Sequence, residues 1–428
     1  MIALLDHIPA ILRMAIVFVL VLYAIRKNLS LGNAFMLGAL FMSLLFAMPV
    51  AVFIKTVFLA IVYPKTLSLA VVVSLILVLS SSMEVTGRMQ RMLSGFRGLV
   101  KSPKLNLIIF PAMIGLLPMP GGAVFSAPMV KEMAVDSGLT SDRLSFINYW
   151  FRHIWEYWWP MYPGVLLATF MADINLAVFV VMMFPLTLSA VYLGGFSIKG
   201  IQPVEMNGGK RPPLKPFLLA LIPILIVIVL GLSLGLLLSH LFPKMDISKE
   251  AGLIISLCIA ISWIWLEDKL PVSERKAIVF NKKLLNMIYM IIAILVFKEI
   301  LEAGGAVEDI SRELVFLKIP LVLIAAILPF IVGLFTGITI AFVGSTFPIL
   351  ITLIHAQGET AYMPAYIMAG LVSGFSGVLL SPLHLCLLLS NEYFETSLKH
   401  VYHHLWIPCA GLLVAALGYF QVLHWIYS

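Results

Sequence analysis

The residues best able to do chemistry lie where the hydrophobic segments of this chain are broken. The first break is Gly115-Leu-Leu-Pro-Met-Pro-Gly-Gly-Ala-Val-Phe-Ser-Ala-Pro128. Pro118 and Pro120 each remove a backbone donor, while Gly121 and Gly122 permit positive φ. Lipid cannot satisfy the unpaired backbone groups of such a break, so protein or a wet cavity must surround it. The stretch therefore predicts a ligand or ion site inside a membrane protein.

A second break, Gly333-Leu-Phe-Thr-Gly-Ile-Thr339, interrupts another long apolar stretch. Half-helices that begin after Gly122 and after Thr339 would aim partial positive charge and free amides at an anion such as a carboxylate. Carbonyls freed at the two breaks suit a small cation. The residues we assign to substrate or ion binding are Pro118, Pro120, Gly121, Gly122, Ser126, Thr336, Gly337, Thr339, Ser345, Thr346, Ser376 and Ser381.

Ionisable residues accompany the breaks. Arg152, His153 and Glu156 precede Pro160, and His384 follows a break around Ser373–Pro382. A charge at membrane depth costs at least about 2.5 kcal/mol, so it is usually functional or paired. We assign all four to proton or anion coupling, with Arg152 holding an anion. The alternative is a static Arg152–Glu156 pair backed by a tryptophan belt, with His384 in a structural hydrogen bond.

Composition sets the class of the protein. Hydrophobic residues make up 61% of the 428 and charged residues 11%, whereas a soluble protein carries about 25% charged residues. Apolar runs of about twenty residues recur along the chain, which predicts an all-α integral membrane fold. The net charge of +7 falls in short loops between apolar runs, as the positive-inside rule expects, and predicts no nucleic-acid partner.

The three cysteines, Cys258, Cys386 and Cys409, are widely spaced and form no Cys-x-x-Cys pair. We interpret them as buried small hydrophobic residues. The sequence predicts no metal site and no cofactor other than Na⁺ or H⁺ as a coupling ion.

Apolar runs and basic loops together predict about ten transmembrane helices and two re-entrant hairpins, with residues 88–104 cytoplasmic and both termini outside. Five crossings in each half make the two halves inverted repeats, and matched interrupted segments indicate a transporter's binding site. The first repeat, 1–196, contains scaffold helices 8–83, hairpin 105–135, broken helix 144–171 and helix 176–193. A cytoplasmic linker, 197–216, precedes the second repeat, 217–428, with scaffold helices 217–301, hairpin 319–354, broken helix 362–390 and helix 404–426.

This arrangement resembles the ion transporter superfamily of elevator-type secondary carriers. The segments Leu-Pro-Met-Pro-Gly-Gly (117–122) and Ser-Pro-Leu-His (381–384) are most similar to an uncharacterised family of predicted prokaryotic permeases. The resemblance implies that hairpins and broken helices move as a transport domain against a dimeric scaffold. Carboxylate symporters of the superfamily carry a Ser-Asn-Thr triplet at each hairpin tip, which this chain lacks.

The sequence thus predicts a permease of the cell membrane, not an enzyme. Its solute would be a small organic anion coupled to H⁺ or Na⁺, and its partners the lipid bilayer and a second copy of the chain. Two alternatives remain open. One is an ion channel, and the other is an intramembrane serine protease that uses Ser376 of Gly374-Phe-Ser-Gly377 with His384.

Overall fold

The computed structural model describes residues 8–96, 99–100, 102–119, 121–135, 137–198, 214–242 and 247–427. Within these ranges the secondary structure is helical and contains no strand. The predicted site residue Pro120 lies outside the described residues, as does most of the predicted linker 197–216.

Ten α-helices are described before residue 199, and a short 3₁₀ turn, Phe196–Ile198, follows the last of them. They are α1 (Ala10–Arg26), α2 (Leu31–Leu45), α3 (Val50–Val62), α4 (Pro64–Val85), α5 (Arg88–Phe96), α6 (Pro103–Gly115), α7 (Ala123–Met133), α8 (Ser141–Arg152), α9 (Pro163–Met171) and α10 (Leu176–Gly195). The later helices include a 3₁₀ turn at Thr360–Tyr362. They are α11 (Leu214–Leu241), α12 (Ser248–Glu267), α13 (Val272–Val279), α14 (Lys282–Ala303), α15 (Ala306–Phe316), α16 (Leu321–Thr336), α17 (Thr339–Ala356), α18 (Met363–Leu379), α19 (Leu385–Tyr393) and α20 (Leu398–Tyr427).

Eight helical segments of the described chain are long and apolar enough to cross a membrane. The protein is therefore a multi-pass helical membrane protein. Four shorter apolar helices, among them α6 and α16, fall below that length; α6 ends at Gly115 and α16 is followed by Gly337. The predicted number of crossings and the predicted sides of the termini stay predictions.

Four pairs of short or interrupted helices surround the centre of the molecule. Helix α6 packs on both α7 and α8, and α16 packs in the same way on both α17 and α18. Helices α6–α9 also contact helices α16–α19, since α7 packs on α19 and α17 packs on α9. These contacts bring together four breaks in the chain. The breaks lie between α6 and α7, between α8 and α9, between α16 and α17, and between α18 and α19.

The basic stretch 88–104 does more than mark a loop. Residues Arg88–Phe96 form helix α5, and Arg88 is only 2% exposed. Its guanidinium donates to Asp268, to Glu267 at 2.8 Å and to the Leu219 carbonyl at 3.1 Å. The prediction of a simple loop was wrong here because acidic residues at the end of α12, about 180 positions away, neutralise Arg88. Helix α15 lies between the predicted scaffold helices 217–301 and the predicted hairpin 319–354, where we predicted no helix.

Candidate functional site

A cavity of about 360 Å³ lies where the four chain breaks meet. Two of the residues that line this cavity, Leu77 and Met287, belong to the long helices α4 and α14. The others are Pro118, Met119, Gly121, Arg152, His153, Glu156, Tyr162, Pro163, Gly164, Gly337, Ile338, Thr339, Ile340, Leu383, His384, Leu385 and Cys386. The breaks thus bring together residues more than 260 positions apart in the sequence.

Arg152 is the last residue of α8 and is 2% exposed. One Nη of its guanidinium donates to the Met119 carbonyl at 2.5 Å, while Nε has no partner among the described residues. The guanidinium also lies against Gly122, the residue that caps α7 and makes no side-chain capping bond. A buried positive charge therefore meets the positive end of a half-helix, and both favour a negatively charged ligand.

Glu156 does not pair with Arg152. Helix α8 ends at Arg152 and the chain turns, so the four-residue spacing no longer places the two side chains on one helix face. The carboxylate instead accepts a hydrogen bond from Thr339 Oγ at 2.7 Å. Since Thr339 is the first residue of α17, Glu156 supplies a negative charge at the N-terminus of that half-helix.

His153 and His384 face each other across the cavity, with their Nε2 atoms 3.1 Å apart. His153 Nδ1 lies 2.6 Å from the Tyr149 carbonyl, and His384 Nδ1 lies 2.9 Å from the Gly337 carbonyl. A carbonyl only accepts hydrogen bonds, so both Nδ1 atoms carry the proton. The two Nε2 atoms are left to share a single proton or another cation.

Gly337 makes the approach of His384 possible. It ends α16 with φ of 64°, a left-handed conformation that glycine adopts without strain. A Cβ at this position would lie 2.9 Å from Ser381 Oγ and 3.0 Å from the His384 nitrogen. The break between α16 and α17 therefore needs glycine both for its turn and for its close contact with the break between α18 and α19.

Aromatic side chains satisfy the carbonyls at the end of α6. Trp155 donates to the Ala112 carbonyl at 2.7 Å, Tyr162 to Gly115 at 2.7 Å and Trp159 to Leu116 at 3.1 Å. The alternative interpretation placed Trp155 and Trp159 in a tryptophan belt, and in the structure the indole N–H groups of both donate to α6. Both indoles reach inward because a helix that stops at a break leaves carbonyls unpaired.

Most of the predicted hydroxyls lie outside the cavity. Thr339 lines it, whereas the hydroxyls on α16, α17 and α18 bond to their own helices four residues back. These pairs are Thr336 to Val332, Ser345 to Ala341, Thr346 to Phe342 and Ser376 to Val372. Ser381 Oγ accepts from the Leu383 amide at 3.2 Å and shapes the fourth break.

Ser126 belongs to a separate buried polar cluster. Its hydroxyl lies 2.6 Å from Asn148 Oδ1, and the Asn148 amide donates to Ser390 Oγ at 2.9 Å. The cluster joins α7, α8 and α19 beside the cavity. Its bonds fix the positions of these helices, and Ser126 and Ser390 do not line the cavity.

Comparison with known families gives one match. The family described as "Protein of unknown function (DUF401)" matches residues 10–424. The chain belongs to this family. No curated protein matches it. The match covers all four breaks, so the cavity lies within the residues that match DUF401.

Sequence reasoning missed several residues of the DUF401 cavity. Cys386 was interpreted as a small hydrophobic residue, and it lies 6% exposed beside the two histidines. Cys409 is buried as expected, whereas Cys258 is exposed on α12. The signal for Cys386 was its position two residues after His384, in the first turn of a half-helix that follows a break.

Proposed function

We propose that this DUF401 protein is a secondary carrier for a small organic anion, such as a carboxylate. The observation that carries the proposal is Arg152, a buried guanidinium with an unpartnered Nε at the uncapped N-terminus of α7. A buried guanidinium with one nitrogen left unpaired is costly, and an anion bound to it would lower that cost. The cavity of about 360 Å³ is large enough for a small ligand.

The two half-helix N-termini at the cavity differ in charge. Thr339 at the start of α17 already has the Glu156 carboxylate, whereas Gly122 at the start of α7 has the Arg152 guanidinium. We therefore place the substrate anion at the α7 side, between the Arg152 guanidinium and the N-terminus of α7. The sequence analysis directed both N-termini at the anion, whereas this proposal assigns the anion to the N-terminus of α7.

The helix contacts support a carrier built from inverted repeats. The contacts of α6 with α7 and α8 repeat as those of α16 with α17 and α18, and the cross-contacts of α7 and α17 match. Leu77 and Met287 lie on α4 and α14, which are the fourth helices of the two proposed repeats. We propose an elevator-type mechanism, as in the ion transporter superfamily, driven by an H⁺ or Na⁺ gradient across the cell membrane.

The two alternatives have weaker support. Ser376 donates to Val372, and both ring nitrogens of His384 already have other contacts, so this geometry offers Ser376 no base. An ion channel would also use buried breaks and a polar cavity. Kinetics separates it from a carrier, since only a carrier exchanges labelled for unlabelled solute.

The proposal is tested with the full chain purified and reconstituted in liposomes. A thermal-shift screen of small carboxylates and sulfonates, with and without Na⁺ and across pH, identifies the anion. That anion in labelled form should then show saturable uptake and counterflow into preloaded liposomes. Conduction without exchange would instead identify a channel, and a screen without any stabilising anion would contradict the proposed substrate class.

A further inference from the structure

We propose that His153, His384 and Cys386 form a binding site for a divalent transition-metal ion of the zinc class. The inference goes beyond the anion carrier and does not depend on it. Its starting point is the pair of Nε2 atoms that face each other at 3.1 Å.

Both imidazoles are held in the tautomer that a metal ligand needs. The Tyr149 and Gly337 carbonyls each take an Nδ1 proton, which leaves the Nε2 lone pairs of His153 and His384 directed at one another. Hydrogen bonds from the second ring nitrogen to a carbonyl are the usual outer support of metal-binding histidines. Two lone pairs at this distance repel unless a positive species lies between them.

The distances fit a metal ion. In a tetrahedral zinc site each nitrogen lies about 2.0–2.1 Å from the ion, so two of them lie roughly 3.3 Å apart. The observed separation of 3.1 Å is close to this value. Cys386 completes the group, because its Sγ and the histidine ligand atoms all lie within 4.8 Å of one another.

Glu156 is the fourth candidate ligand. Its Oε2 lies 3.7 Å from His153 Nε2, while Oε1 accepts from Thr339. A thiolate and a carboxylate together would offset the two positive charges of the ion, which lowers the cost of a buried cation. Cys386 also lies in the first turn of α19, where free backbone N–H groups favour a thiolate.

The donor set selects the kind of metal. Two imidazoles and a thiolate suit zinc and the ions that resemble it, whereas Mg²⁺ and Ca²⁺ prefer oxygen ligands. All three side chains are at least nine-tenths buried, with exposed fractions of 1% for His153, 7% for His384 and 6% for Cys386. Adventitious binding by scattered surface histidines does not fit this arrangement.

The test measures binding directly. The purified full chain is stripped with a chelator, dialysed against Zn²⁺ and analysed for bound metal by mass spectrometry. We expect one equivalent per chain that Mg²⁺ does not displace. Replacing Zn²⁺ by Co²⁺ should produce a thiolate-to-cobalt charge-transfer band that reports on the cysteine.

Variants assign the ligands. His384→Ala and Cys386→Ser should each weaken Zn²⁺ binding about tenfold or more, equivalent to about 1.4 kcal/mol, and Cys386→Ser should remove the charge-transfer band. Cys409→Ser is the matched control, because Cys409 is equally buried but lies outside the cavity, and it should bind like the wild type.

Wild-type protein that binds less than a stoichiometric amount of Zn²⁺ would overturn the proposal and would assign the short Nε2 separation to a shared proton. Unchanged binding in folded His384→Ala and Cys386→Ser proteins would overturn it as well. Anion uptake is measured separately, so metal binding without uptake would contradict the carrier, and uptake without metal binding would contradict the metal site.

Discussion

Gly122 and Arg152 are in such close contact that a Cβ on the glycine would collide with the guanidinium. The glycine is thus what lets a positive side chain reach the first turn of α7. Gly122→Ala should displace Arg152 and lower anion affinity about tenfold or more, the equivalent of about 1.4 kcal/mol. The measurement is the anion concentration needed for half-maximal thermal stabilisation. Gly418→Ala is the control, since a Cβ there meets nothing within 4 Å, and equal losses in both variants would contradict the contact argument.

Arg152→Gln tests the anion site more directly. Removing a buried charge that pairs with a ligand costs at least about 2 kcal/mol, or roughly thirtyfold in Kd. Arg152→Lys should restore only part of the affinity, because an ammonium lacks the planar fork of guanidinium. Arg312→Gln removes an exposed arginine, with its side chain 78% accessible, and should transport like the wild type. Wild-type uptake by folded Arg152→Gln protein would rule out the assigned anion site.

Thr339→Val keeps the side-chain shape and removes the hydroxyl that bonds to Glu156. A buried acceptor left without its donor costs about 1–3 kcal/mol, so we expect slower initial uptake and a lower unfolding temperature. Thr352→Val serves as the comparison on the same helix, because Thr352 bonds only to the Pro348 carbonyl. If both threonine variants behave alike, the bond to Glu156 has no special role.

Tyr162→Phe removes one donor from the end of α6 and leaves the Gly115 carbonyl unpaired. We expect a loss of about 1–3 kcal/mol in the free energy of unfolding, measured as thermal unfolding in detergent. Tyr192→Phe is a suitable control, since Tyr192 is 70% exposed. An unchanged unfolding temperature for Tyr162→Phe would show that water replaces the phenol.

Arg88→Met removes the buried arginine of an ion network, so that Glu267 loses this partner while Asp268 keeps Arg91. The change removes the three hydrogen bonds of the buried guanidinium, so we expect a loss of about 1–3 kcal/mol in the free energy of unfolding, measured as a lower unfolding temperature. Arg91 binds the same Asp268 at 2.7 Å but is 48% exposed, so Arg91→Met should cost far less, about 0–1 kcal/mol. The reverse order of the two effects would mean that burial does not determine the strength of this network.

The sequence allowed the positions of most helices to be predicted closely, because long apolar runs end at proline, glycine or charged residues. The run predicted at 176–193, for example, is Leu176–Gly195 in the structure. The breaks were located for the same reason, and Gly121, Arg152, His153, Glu156, Thr339 and His384 all line the cavity.

What could not be predicted depends on contacts between distant segments. Arg152 and Glu156 suggested a pair by spacing alone, but the end of α8 separates them. Cys386 lies beside His153 only because the break before α19 packs against the turn after Arg152. The sequence does not show this contact. The role of Trp155 and Trp159 as donors to α6 required the position of a neighbouring helix end, which composition does not contain.

The bonds from Trp155, Trp159 and Tyr162 to α6 have a mechanical consequence. They join α6 to the turn between α8 and α9, so we expect these parts to move as one rigid body. Leu77 and Met287 are the cavity residues that belong to α4 and α14, and both are apolar. A movement of α6 and this turn past α4 and α14 would therefore break no side-chain hydrogen bond at Leu77 or Met287. Such apolar contacts can be exchanged at low cost as the helices slide.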